Sequence, residues 1–250
     1  MSDVIDYRII GDDMQLVEIE LDPGEGVRAE AGAMMYMEQS IKMQTDTGGG
    51  VFNGFKRMFT GESFFITTFV HSGDGKSHVA FGAPYPGKVI PIYLNDFDNS
   101  FLCQKDAFLC AASGTDIEVA FTKKIGAGLF GGEGFILQRL IGDGMVFIHA
   151  GGTIIEKDLA QNEIIRVDTG CLVAMSSDVD YDIQFIGGFR NALFGGEGLF
   201  LATLSGPGKV YLQSLPFSRL ADRILAATHR SKGESKGVGG LFGNIISGDR

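Results

Sequence analysis

The chain has 250 residues, 44% of them apolar, which is ample for a buried core and excludes a disordered protein. Its 31 Asp and Glu against 21 Lys and Arg leave a formal charge of −10, a poor match for a phosphate backbone, so nucleic acid is not an expected partner. Cys103, Cys110 and Cys171 form no C-x-x-C pair and are odd in number, which argues against a disulfide framework and fits a reducing compartment.

The N-terminus, MSDVIDYRIIGDDMQ, is acidic and has no apolar core, so neither a secretory signal nor an acid-poor presequence fits. No run reaches 18 apolar residues, and a cytoplasmic location is expected. Next come short runs rich in Val, Ile, Phe, Tyr and Thr, punctuated by turns such as PGE at 23–25 and YPG at 85–87. Three blocks recur along them. VRAEAGAMMYM at 27–37 aligns with FLCQKDAFLCA at 101–111 and IRVDTGCLVAM at 165–175. MFTGESFFI at 58–66 aligns with LFGGEGFIL at 129–137 and LFGGEGLFL at 193–201. Turn signals come next at SGDGK (72–76), IGDGM (141–145) and SGPGK (205–209), each leading into another strand-like run. The expected architecture is all-β: one domain over 1–215 built of three repeats, 13–82, 87–150 and 151–215.

Within the second repeat, Gly126, Gly128 and Gly131 meet the G-x-G-x-x-G spacing of a dinucleotide loop. The match disappears in the third copy, where Arg190, Asn191 and Ala192 precede the block, and Gly134 leads into a strand and a hairpin turn where a dinucleotide fold needs a helix. The glycines read instead as tight connections between strands. After the repeats, PFSRLADRILAATH predicts an amphipathic helix over 216–230, with Pro216 at its start and Phe217, Leu220, Ile224, Leu225 and Ala227 on one face. Residues 231–250, glycine-rich and aperiodic, read as a flexible tail.

The sharpest candidate constellation is Glu62, Glu133 and Glu197, one per repeat. Two readings stay open: the three converge on an axis and hold a hard divalent cation, or each accepts backbone N–H bonds from its own glycine turn. The second is favoured. Lys56, Arg57, Lys123, Lys124 and Arg190 precede the glycine blocks as anion candidates, with ordinary solvated surface as the favoured alternative. Of the four histidines, His71, His78, His149 and His229, none forms an H-x-H pair, so no metal site is expected. His149, aligned with Gln213 and with Ala80 in the first copy, reads as a polar strand residue. Cys103 aligns with Ala29 and Val167, Cys171 with Ala33 and Ala107, and Cys110 with Tyr36 and Ala174; all three read as packing residues rather than nucleophiles. With no G-x-S-x-G either, no catalytic group and no cofactor is expected.

The runs VEIELDPGEGVRAEAGAMMYM, GESFFITTF, FLCQKDAFLCA, the two copies of LFGGEG, VDTGCLVA and KVYLQSLPFSRLADRI together resemble the family of altered inheritance of mitochondria protein 24 and its prokaryotic relatives, over most of residues 4–226. The resemblance implies a TRAP-like fold, after the tryptophan RNA-binding attenuation protein, with three double-stranded β-helix units per chain in a pseudo-threefold arrangement, and homotrimers. It implies no catalytic residues. The mitochondrial branch is associated with inner-membrane organisation, and the missing presequence makes a prokaryotic, cytoplasmic member the expectation. The resulting functional expectation is a non-enzymatic homo-oligomeric scaffold with a protein or membrane-associated partner. A small-ligand module using grooves between repeats is the alternative, and a cupin-like metalloprotein comes third.

Overall fold

The computed structural model describes residues 1–45, 66–123, 135–186 and 199–234. It is predominantly β, and its strands are β1 (Asp6–Ile10), β2 (Leu16–Leu21), β3 (Gly26–Glu30), β4 (Met34–Met37), β5 (Ile41–Thr45), β6 (Ile66–His71), β7 (Ser77–Gly82), β8 (Gly87–Tyr93), β9 (Ser100–Gln104), β10 (Phe108–Ala112), β11 (Asp116–Lys123), β12 (Phe135–Ile141), β13 (Met145–Gly151), β14 (Ile154–Leu159), β15 (Ile164–Asp168), β16 (Leu172–Ser176), β17 (Asp180–Ile186), β18 (Leu199–Ser205) and β19 (Gly208–Gln213). One helix, α1 (Phe217–Glu234), closes the described chain. It runs to Glu234, so the boundary expected at 231 is corrected: once a helix is nucleated, each further residue adds a hydrogen bond at little cost, and the chain continues helically through Ser231 and Lys232. Residues 235–250, read as a tail, lie outside the described residues.

All strand pairs are antiparallel. In the stretch 87–151, β8 and β10 flank β13, and β9 and β11 flank β12. The same pairings occur between β14, β16 and β19 and between β15, β17 and β18, and again between β2, β4 and β7 and between β3, β5 and β6. The turn signals sit where the sequence places them: SGDGK joins β6 to β7, IGDGM joins β12 to β13 and SGPGK joins β18 to β19. Gly75, at φ +77° in the first of these, takes a conformation that L side chains rarely adopt.

Two joints tie these stretches together. β3 pairs with β10, setting Ala29 against Cys110, Arg28 against Ala111 and Val27 against Ala112. β9 pairs with β16 in the same way, with Cys103 opposite Ala174, Leu102 opposite Met175 and Phe101 opposite Ser176. β10 (FLCAA) and β16 (LVAMS) are buried along their whole length, as expected for strands covered on both faces. The core is correspondingly shared. Val17, Val27 and Phe81 pack in one cluster with Leu109, Cys110 and Phe147, and Leu102 and Leu137 pack in another with Val167, Met175 and Val210.

β4 and β15 occupy the corresponding places at the two ends, and each has one strand neighbour among the described residues: β4 pairs with β7 and β15 with β18. Along β4, Met35, Tyr36 and Met37 are 56%, 44% and 36% exposed, and Ile164 on β15 is 62% exposed. The N-terminal residues cover the seam between the first two stretches. The Ser2 N–H donates to Asp143 (2.6 Å), the Asp3 N–H to the Ser113 carbonyl (2.9 Å), and the Asp3 carboxylate accepts from the Gly26 N–H (2.8 Å).

Candidate functional site

Glu62, Glu133, Glu197, Lys56, Arg57, Lys124 and Arg190 lie outside the described residues, and Lys123 enters only as the last backbone position of β11. Among the described residues no group of three or more His, Cys, Asp or Glu side chains is placed to hold a metal ion. His71 and His78 are engaged locally: His71 Nε2 lies 2.8 Å from the Gly75 carbonyl, and His78 lies between Glu20 (3.3 Å) and Glu38 (3.4 Å). Cys103 and Cys110 are buried and free, and burial pushes both thiols well above the ordinary range.

His149 is different. β13 reads MVFIHAG, and the strand carries the imidazole into the interior, 2% exposed, where neither ring nitrogen meets a hydrogen-bond partner among the described residues. Burial lowers its pKa to about 4, so the ring is neutral at pH 7. Tyr85 packs edge-on against it, ring centroids 4.6 Å apart, and Phe217 at the start of α1 lies 5.4 Å beyond Tyr85. Gly87, opposite Gly151 in the β8–β13 ladder, leaves room for the ring; a Cβ there would sit 2.6 Å from His149 Cε1 and Nε2.

These residues line a cavity of about 610 Å³. The end of β3 and the turn after it form one wall with Glu30 and Ala33, the turn before β10 contributes Asp106, β10 itself contributes Phe108 and Leu109, and α1 closes the far side with Phe217, Ala221, Asp222 and Leu225. The wall is mostly apolar. Among the described residues its charged groups are the carboxylates of Glu30, Asp106 and Asp222, with neither Lys nor Arg. Arg219 ties α1 to Asp168 (2.7 Å).

The ladder corrects one alignment. The bulge in β10 opposite β13 falls between Phe108 and Cys110, and its counterparts fall between Leu172 and Ala174 and between Met34 and Tyr36. Counting from these, His149 corresponds to Gln213 and to Gly82, two residues beyond the expected Ala80. The cysteine alignments stand in this register. Gln213 shows what the position ordinarily does: its Oε1 accepts from the Gly151 N–H and its Nε2 donates to the Gly170 carbonyl, both at 2.8 Å. His149 is a polar strand residue, as the sequence reads it. What the sequence does not show is that the imidazole, in the place where Gln213 makes two hydrogen bonds, has no partner among the described residues.

No helix among the described residues is long and apolar enough to cross a membrane. An uncharacterised protein from Streptococcus pyogenes serotype M6, M6_Spy0233, is 30% identical over 217 residues, covering 84% of this chain and 85% of its own. The crystal structure of protein SPYM3_0169 from Streptococcus pyogenes superposes with a TM-score of 0.73 at 26% identity, covering 89% of this chain and 99% of that one. The family model described as mitochondrial biogenesis AIM24 matches residues 7–215, almost the whole of the strand-forming region, and the chain belongs to that family.

Proposed function

We propose that the chain is a non-enzymatic, homo-oligomeric β protein in which three like units per chain continue from copy to copy. Three chains would close a TRAP-like ring of nine units that presents a scaffold surface to a protein or membrane-associated partner. The observation that supports this reading is the edge that β4 and β15 each leave open among the described residues. Their counterparts β10 and β16, and β3 and β9, meet in the two joints inside the chain. Strand edges left open at the two ends are complementary by descent from the same joint, and an exposed edge rich in Met and Tyr is a pairing surface. Such a contact is head-to-tail, which closes into a ring when the rotation per copy permits.

The repeat supplies the register. By analogy with Cys110 opposite Ala29 and Ala174 opposite Cys103, Tyr36 pairs with Val167 of the next copy, Met37 with Arg166 and Glu38 with Ile165. Native mass spectrometry of the full chain at micromolar concentration should give a trimer. Oxidation of a Met37→Cys, Arg166→Cys double variant in a Cys171→Ser background should link copies covalently, while each single variant should not form the same ladder. A monomer, or a trimer left unlinked by the double variant, would refute the head-to-tail joint.

A further inference from the structure

We propose that the cavity beneath α1 is a binding site for a small apolar amine, with the neutral imidazole of His149 and the acidic rim holding the ammonium group. The first argument is the orphaned imidazole. A buried polar group normally has its partner within the fold, and leaving one unmade is destabilising. At the corresponding place Gln213 makes two hydrogen bonds, so the backbone framework can satisfy a side chain there. Neither ring nitrogen of His149 has a hydrogen-bond partner among the described residues, and the ring lines a cavity. A neutral imidazole offers one N–H donor and one lone pair, and the lone pair is the natural acceptor for an ammonium N–H.

The second argument is shape and charge. A volume of about 610 Å³ lies in the range of small-molecule sites, and the wall combines apolar and aromatic side chains with a few convergent polar groups. Tyr85, Phe108 and Phe217 offer ring surface to an apolar body and, to a cation, the electron-rich faces that attract it. Glu30 and Asp222 come from two separate elements and bring negative charge to the rim, and the described lining side chains include neither Lys nor Arg. That field favours a cation and opposes a carboxylate or phosphate. The site draws on β3, the turn before β10, β13 and α1, so it exists only when the first two stretches and the helix are docked together.

The test is isothermal titration calorimetry on the full chain with three probes of one shape: 2-phenylethylamine, 2-phenylethanol and 3-phenylpropanoate. The expected result is saturable binding of the amine at one site per chain, weakening by about tenfold or more for the alcohol and undetectable for the acid. Asp222→Asn, an exposed helix position, should weaken the amine severalfold and leave the alcohol unchanged. Ala221→Trp, also on α1, should fill the cavity and abolish binding of both, with an unchanged far-ultraviolet circular dichroism spectrum showing that the fold is kept. Amine binding that persists in Ala221→Trp would move the site elsewhere and overturn the proposal. So would equal affinity for amine and acid, or no saturable heat with any of the three probes.

Discussion

Protonation of His149 should make the fold acid-sensitive well above the carboxylate range. Burial lowers its folded pKa from the ordinary 6.5 to about 4. The unfolded chain takes up the proton first, so stability is fully present above pH 6.5, declines as pH falls through 6.5 towards 4, and levels off below that. Over the whole window the effect is about 3 kcal/mol, and by pH 5 about 2 kcal/mol has gone, with a slope near ~1.4 kcal/mol per pH unit. Tyr85, Glu30, Asp106 and Asp222 are the titratable neighbours around the same cavity. Glu20, Glu38 and Asp143 also have lowered pKa values, from Lys76, from the His78 backbone and from the Ser2 backbone respectively, and lose stability in the same direction at lower pH. A difference measurement removes them. Urea unfolding of the parent and of His149→Gln, at about pH 8 and pH 5 and one fixed protein concentration, should show the parent losing about 2 kcal/mol more than the variant. Equal losses in the two proteins would refute the reasoning.

Gln213→Ala should strand the Gly151 N–H and the Gly170 carbonyl and lower stability by ~2–3 kcal/mol, read as a shift in urea midpoint. A native protein treated with a thiol reagent should react at Cys171 first, because Cys103 and Cys110 are buried; three thiols per chain should react in denaturant. Arg219→Ala should cost under ~1 kcal/mol, since the bond to Asp168 is exposed, while hydrogen exchange in the first turns of α1 should accelerate.

Periodicity and turn chemistry carried most of the fold. SGDGK, IGDGM and SGPGK each fall between paired strands, and the apolar runs FLCQKDAFLCA and IRVDTGCLVAM each become two strands around a tight turn. β1 escaped, because DYRII lies ahead of the first recurring block and only its pairing with β2 defines it. The end of α1 escaped because a glycine-rich composition masks helical continuity as far as Glu234. The candidate site was legible only in part. His149 stands out in VFIHAGG, but aligning it by letters placed Ala80 opposite, whereas the bulges in β4, β10 and β16 place Gly82 there. A bulge shifts register without leaving a sequence mark. That the imidazole would be orphaned follows from Tyr85 and Gly87 meeting it in space, and no spacing along the chain encodes that meeting.

Because each hydrophobic cluster draws side chains from both sides of a joint, no one stretch of the chain owns a complete interior. A fragment ending after Ala83 would leave Val27 and Ala29 without Cys110 and Leu109 against them. Melting should therefore proceed in a single concerted step across all the sheets, and copies made by cutting the gene into thirds should aggregate rather than fold. No stretch of strands can therefore be removed without opening the interior of the stretch beside it.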